Sequence, residues 1–414
     1  MMESGINQSP ATSQEVQVKK SFLSQLGPAL ITSALVLGPG SLTLSSKIGA
    51  IYGMQLIWIL VIVVFFMMMY TEMSTRIGMA SKESFIQVMK TKWGKPASLL
   101  IGLGAFLVTA SFQAGNALGS GLAVSAITGS SPTFWILAIT ILGMGLVFAK
   151  NFYNILEKLM LGLVMIMLVS FVITLILTKP SLTDVLSGFA PAIPDGSLPL
   201  IIALTATSFS IVGAVYQSYL IQEKGWTLQQ NHSSVKETYW GIFILGFISM
   251  MIMICAAAIL KPKGIVVNSV SEMGMALEPL YGNWATIVFM VGLFGASFSS
   301  QVGNATIGGS MLADGLGLGS KLSSKSVKGL ILLVMAFGSL IGIIFGGAPI
   351  NMIIFAQAIT IVIVPFIAIA ILVVANDEKI MGSLKNTLWK NIVGTAGLIV
   401  LILLAVNNII NIFF

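Results

Sequence analysis

The chain has 414 residues, of which 56% are hydrophobic and only 8% charged, and its formal net charge is +7. Its mean hydropathy is +0.99, whereas in soluble domains about a quarter of the residues carry charge. The composition excludes a soluble protein and defines a polytopic membrane protein, which the apolar runs make all-α.

The stretch from Met1 to Gln25 is polar and carries Lys19 and Lys20 just before the first apolar run. It lacks the apolar core of a signal peptide, so it reads as a cytoplasmic tail ahead of an uncleaved first span. Apolar runs then predict eleven transmembrane helices, at about 26–48, 54–75, 97–127, 133–149, 155–178, 198–222, 238–260, 284–311, 329–347, 350–375 and 391–413.

Span 1 is interrupted by Gly38-Pro39-Gly40-Ser41. Pro39 lacks a backbone donor, and its flanking glycines remove the stiffness needed to stay helical. Backbone freed at membrane depth has no partner in lipid, so it is tolerated where protein buries it or where it lines an aqueous cavity. Broken helices at the midplane are the sequence mark of a secondary transporter's binding site. A proline kink without a ligand is the plainer alternative.

At the end of span 2, Glu72 and Arg76 are spaced i,i+4 and read as an intrahelical pair. Span 3 carries Gln113 and Asn116. Span 6 carries Thr207 and Ser210 before Gly213, then Tyr216 and Gln217. If spans 1–5 and 6–10 are two halves, the odd number of helices inverts the second, and span 6 is expected to break near Gly213 as span 1 does near Pro39. Span 8 adds Ser299, Gln301 and Asn304, and span 10 adds Gln357. Hydrogen bonding between helices is the plain use of such residues. Their number around two breaks, with half-helix N-termini pointing positive dipole ends inward, suits a small polar or anionic ligand.

The charges set the orientation. With the N-terminus inside, seventeen of the 21 basic residues fall on the cytoplasmic side, and Lys47, Lys179, Lys261 and Lys263 on the other. The basic balance thus reports topology in the plasma (cytoplasmic) membrane, with the lipid bilayer as partner and no nucleic acid. Lys47 reads as a snorkelling cation or as a charge on the outer vestibule. Glu223 and Lys224 read as an interfacial anchor or as part of an inner gate. Cys255 is the single cysteine, and His232 has no partner at metal-ligand spacing. No Ser/Lys, Asp/Asp or His-x-x-x-His constellation lies at membrane depth, so no catalytic residue, enzyme activity or cofactor is predicted.

Several stretches, in their order and spacing, resemble the natural-resistance-associated macrophage protein (NRAMP) family of divalent-metal transporters. They are Ser74-Thr-Arg-Ile-Gly-Met79, Leu186-Ser-Gly-Phe-Ala-Pro-Ala-Ile-Pro194, Leu277-Glu-Pro-Leu-Tyr-Gly282, Ala356-Gln-Ala through Pro365-Phe366, and Asn376-Asp-Glu-Lys-Ile-Met-Gly382. The resemblance implies a leucine-transporter (LeuT)-like fold with discontinuous helices 1 and 6, working by alternating access. Residues 26–180 and 181–376 would be the two inverted five-helix repeats, after the tail at 1–25 and before a connection and eleventh helix at 377–414.

The departures from the family bear on substrate. Where family members read DPGN, with metal-binding Asp and Asn, this chain has Gly38 and Ser41 around Pro39 and Gly40. The family's Met-Pro-His of span 6 falls, within two residues, on Val212, Gly213 and Ala214, and its acidic residues of span 3 on Gln113 and Asn116. Gln357 matches a family glutamine. Manganese and ferrous iron favour carboxylate or imidazole ligands, and a buried divalent ion without an anionic ligand forfeits its hydration. No metal ligand is therefore assigned. The expected binding set is Gly38, Pro39, Gly40, Ser41, Gln113, Asn116, Ser210, Val212, Gly213, Ala214, Tyr216, Gln217 and Gln357. The expected substrate is a small polar, zwitterionic or anionic organic solute. Transport of hydrated magnesium or another divalent ion, or a non-transporting sensor, are the alternatives.

Overall fold

The computed structural model describes residues 32–33, 36–149, 152–344 and 349–413. The polar tail, the start of span 1 and Lys150 lie outside the described residues, as does the side chain of Gln357. Every regular element described is helical. Seven helical stretches among these residues are long and apolar enough to cross a membrane, and three shorter apolar helices, Pro132–Leu146, Leu168–Thr178 and Val364–Ala375, accompany them.

Span 1 breaks at Leu37 and Gly38, and α1 (Pro39–Tyr52) restarts with Pro39 in its first turn, where a missing N–H costs nothing. Spans 2 to 5 are α2 (Ile57–Ala80), α3 (Lys95–Thr128), α4 (Pro132–Leu146) and α5 (Phe152–Thr178). Span 6 is two helices, α6 (Leu198–Ser208) and α7 (Ile211–Glu223). Spans 7 to 9 are α8 (Asn231–Ile259), α9 (Ala285–Gly315) and α10 (Lys325–Ile344). Span 10 is divided into α11 (Pro349–Thr360) and α12 (Val364–Ala375), and span 11 is α13 (Leu388–Phe413).

Two of the breaks differ from what the sequence predicts. The span 6 break falls on Phe209 and Ser210, and Gly213 lies inside the first turn of α7. Span 10 is not continuous either: a turn at 361–363 precedes Pro365, which sits at the start of α12.

Side-chain contacts define two ends of the bundle. At one end, Gln222 in the last turn of α7 donates to the carbonyls of Ser81 and Glu83 after α2, at 3.0 and 2.8 Å. There Lys92 pairs with Asp377. Buried Glu72 accepts from Arg76 Nε at 2.8 Å and from Lys390 Nζ at 2.7 Å. Arg76 also reaches Asn386 Oδ1 at 2.6 Å, so the expected pair is a wider cluster tying span 2 to the 10–11 connection. This is the basic end of the bundle. At the opposite end, Trp58 Nε1 donates to the Ala192 carbonyl at 3.0 Å, and Lys47 lies within electrostatic reach of Glu272. Thus α1 runs from the middle to the opposite end and α7 from the middle to the basic end, the inversion expected of the two halves.

The break in span 6 is held by packing. Phe209 is fully buried, stacked on Phe66 at 5.8 Å between centroids and edge-on to Tyr70 at 5.2 Å, both on α2. Tyr70 in turn donates to the Gly394 carbonyl of α13 at 2.8 Å. An aromatic side chain of this size buries enough apolar surface to fix the chain where the helix stops.

Candidate functional site

The two breaks meet in the middle of the bundle. At the first, the Gly38 N–H bonds the Val36 carbonyl at 2.8 Å, closing a tight three-residue turn. Ser41 Oγ donates to the same carbonyl at 3.1 Å and lies 3.3 Å from Thr207 Oγ1 of α6. Ser41 therefore both satisfies the broken backbone and links the two discontinuous spans. The N-cap residues of α1 and α7, Gly38 and Ser210, make no side-chain cap bond. Two helix N-termini thus present donors and positive dipole ends to one place.

A cavity between them is lined by Val36, Gly38, Gly40, Phe112, Asn116, Thr207, Ser210 and Asn304. The cavity is small, with room for about one water. The four polar side chains of this lining are amides and hydroxyls. The buried carboxylates Glu72, Glu237 and Asp314 do not line it. Among the described residues no three His, Cys, Asp or Glu side chains converge as a metal would need. Gly38 is tightly backed: a Cβ there would meet Ser300 Oγ at 3.0 Å and Asn116 Oδ1 at 3.2 Å.

The other expected residues fall in distinct places. Gln113 Nε2 donates to the Gln301 carbonyl at 2.7 Å and its Oε1 accepts from Asn116 at 3.4 Å. Gln301 continues to Ser120 and Thr140, and Thr140 to Ser339, at 3.3, 2.9 and 2.7 Å. A neutral hydrogen-bonded chain therefore runs from the cavity through spans 3, 8, 4 and 9. Gly213 faces the break, where an added Cβ would meet Ser210 Oγ at 3.0 Å and Val36 Cγ2 at 3.3 Å. Val212 and Ala214 are buried beside it without lining the cavity. Gln217 accepts from Thr32 at 2.6 Å, tying α7 to the first part of span 1. Tyr216 is buried below the cavity against Tyr219. Pro39 packs near Gly119 of α3. Gln357 lies on α11, with its side chain outside the described residues.

Phe112 and Val36 line the cavity without having been marked in the sequence. Phe112 stands one helical turn before Asn116, and that i,i+4 spacing is the signal that would have found it. Lys224 lies 4.9 Å from the Trp226 ring centroid and Glu223 is exposed.

A helical membrane protein with its first and sixth spans broken at one central polar cavity has the scaffold of a LeuT-fold transporter. The chain belongs to the natural resistance-associated macrophage protein-like family, whose sequence profile it matches over residues 29–411. It is 23% identical over 411 residues to the divalent metal cation transporter MntH of Klebsiella pneumoniae subsp. pneumoniae, covering 94% of each protein. The manganese transporter of Eremococcus coleocola superposes with a TM-score of 0.77 at 17% identity, over 92% of this chain and 85% of that one. MhsT, solved in complex with L-phenylalanine, superposes with a TM-score of 0.59 at 15% identity, over 92% and 98%.

Proposed function

We propose that this protein is an alternating-access secondary transporter whose central site takes a small polar solute, zwitterionic or anionic, in place of manganese or ferrous iron. The observation that carries this is the cavity lining: two uncapped helix N-termini and, among the described residues, the neutral side chains of Asn116, Thr207, Ser210 and Asn304 with no carboxylate. Helix N-termini favour negative groups, and a bare divalent ion in this lining would lack the anionic ligands that offset its dehydration. The chain of amides and hydroxyls from Asn116 to Ser339 does not titrate near neutral pH, so it offers no proton carrier. The basic end faces the cytoplasm, in keeping with the placement of Lys and Arg. The two repeats are 26–180 and 181–376.

A second reading rests on the family itself. Relatives that align with nearly the whole chain are named divalent metal cation transporters, and magnesium, which dehydrates reluctantly, is the ion a neutral polar site suits best.

Gly38→Asp separates the two. An added Cβ already presses on Ser300 and Asn116, and a single carboxylate leaves the other coordination positions to groups not arranged for metal. The substitution is expected to leave manganese uptake in proteoliposomes at background and to lower uptake of an anionic or zwitterionic solute through repulsion at the dipole ends. Enhanced magnesium or manganese flux with unchanged organic-solute flux would overturn the first reading in favour of the second.

A further inference from the structure

Below the cavity, toward the basic end, α7 and α9 are joined by two matched rungs. Tyr216 and Tyr219 stand three residues apart on α7 with their rings stacked at 5.8 Å. Ser310 and Asp314 stand four apart on α9, facing them. Tyr216 is in hydrogen-bond contact with Ser310, and Tyr219 Oη donates to Asp314 Oδ2 at 2.7 Å. Asp314 is only 2% exposed. Its other oxygen accepts from Gln87 Nε2 at 2.8 Å, which brings in the helix Phe85–Trp93 between spans 2 and 3. A carboxylate this deeply buried costs several kcal/mol of solvation unless it is partnered, so it holds its donors strongly.

We infer that Asp314, with Tyr219 and Gln87, forms the gate that closes the cavity toward the basic end. The inference rests on the alternating-access reading above. Three features make the contact a gate and not a passive tie. The half-helix α7 is severed from α6 at Phe209 and Ser210, so it can tilt as a unit. The stacked tyrosines lie between the cavity-lining Ser210 and the basic end. Where α7 meets the 2–3 segment and α9, the hydrogen bonds come from its side chains, Tyr219 and Gln222, and side-chain bonds can break without unwinding a helix.

The single cysteine, buried Cys255, makes the test direct. In a Cys255→Ala background, Ser210→Cys places one thiol in the cavity wall, and a membrane-impermeant methanethiosulfonate reagent is applied to inside-out and right-side-out vesicles without substrate. Labelling from the basic side is expected to be slow, to accelerate about tenfold in Tyr219→Phe, the effect of losing one charge-assisted hydrogen bond, and to accelerate further in Asp314→Ala, which also loses the bond from Gln87. Asp314→Asn, which keeps one acceptor, should fall between. Tyr219→Phe removes one hydroxyl only and guards against misfolding of the Asp314 variants. Labelling in Tyr219→Phe equal to the parent's, or accelerated alike from both faces, would overturn the gate. If the parent still labels from either face, the transport reading survives that failure; no labelling from either face in any variant would overturn both.

Discussion

The half-helices that meet at the cavity differ, on its two sides, in how their polar groups are used. On α1 and α6, which run between the cavity and the opposite end, the hydroxyls of Thr43, Ser45, Ser46, Thr205 and Ser208 are buried with no hydrogen-bond partner among the described residues. On α7, toward the basic end, Tyr219 and Gln222 bond to neighbouring elements and Gln217 Oε1 accepts from Thr32, although Gln217 Nε2 has no partner among the described residues. A buried hydroxyl left unpaired costs about 1–3 kcal/mol, whereas a satisfied one contributes about 1. The basic side is therefore fastened by specific bonds. The opposite side is held by apolar packing against the preference of its own hydroxyls, and hydration would relieve that cost. On the alternating-access reading proposed above, the side lined by α1 and α6 is the one expected to open first.

The largest expected effect comes from breaking the fastened side. Arg76→Ala removes one of the two cations that neutralise Glu72, which is 1% exposed, and takes the donor from Asn386 Oδ1 and from the Leu384 carbonyl. Removing one partner of a buried pair costs about 3–5 kcal/mol. The thermal unfolding midpoint in detergent should fall steeply, and Glu72→Gln in the same chain should recover part of the loss. An unchanged midpoint would mean that this end is not held by its paired charges.

This contrast was only partly legible in the sequence. The span 1 break could be read because a proline between glycines is incompatible with a continuous helix. The span 6 break could not be placed as well, since neither Phe209 nor Ser210 is a helix breaker. Its position is set by the aromatic packing of Phe209 on Phe66 and Tyr70, a tertiary effect. Gly213 misled because its role is close approach to Ser210 and Val36, which periodicity does not distinguish from helix breaking. Asp314 went unmarked because it lies just past the apolar run of span 8, where a carboxylate reads as interfacial; its burial depends on Tyr219 and Gln87, which are distant in sequence. The same holds for span 10, where Pro365 lay inside an apolar run and the turn before it passed for continuous helix.

Matched hydroxyl deletions sharpen the comparison at moderate cost. Thr32→Val removes the donor to Gln217 on the fastened side and should destabilise by about 1 kcal/mol. Thr205→Val removes an unpaired hydroxyl on the other side and should leave stability unchanged or raise it by a similar amount. Opposite signs in the two unfolding midpoints support the asymmetry. A loss of equal size in both would show that Thr205 is satisfied in solution and would remove the argument for opening on that side first.

The smallest expected effect is at the rim of the basic end. Lys92 donates to Asp377, and this hydrogen bond, with the Lys379 N–H, holds the Asp377 carboxyl below its usual range. Asp377→Asn keeps an acceptor for the Lys379 N–H but loses the charge facing Lys92. Partly exposed ion pairs contribute under about 1 kcal/mol and are screened by salt, so the midpoint should drop slightly at low ionic strength and hardly at all in high salt. The sign with pH follows from the depressed value. The carboxylate's contribution is complete above about pH 4, where the unfolded chain titrates, and is lost as pH falls through the lower folded value. The gap between the parent and Asp377→Asn should thus be constant from pH 8 to about pH 5 and close in stronger acid. A gap that persisted in acid and in high salt would assign the effect to the fit of the turn, and the pairing of Lys92 with Asp377 would no longer count among the fastenings of this end.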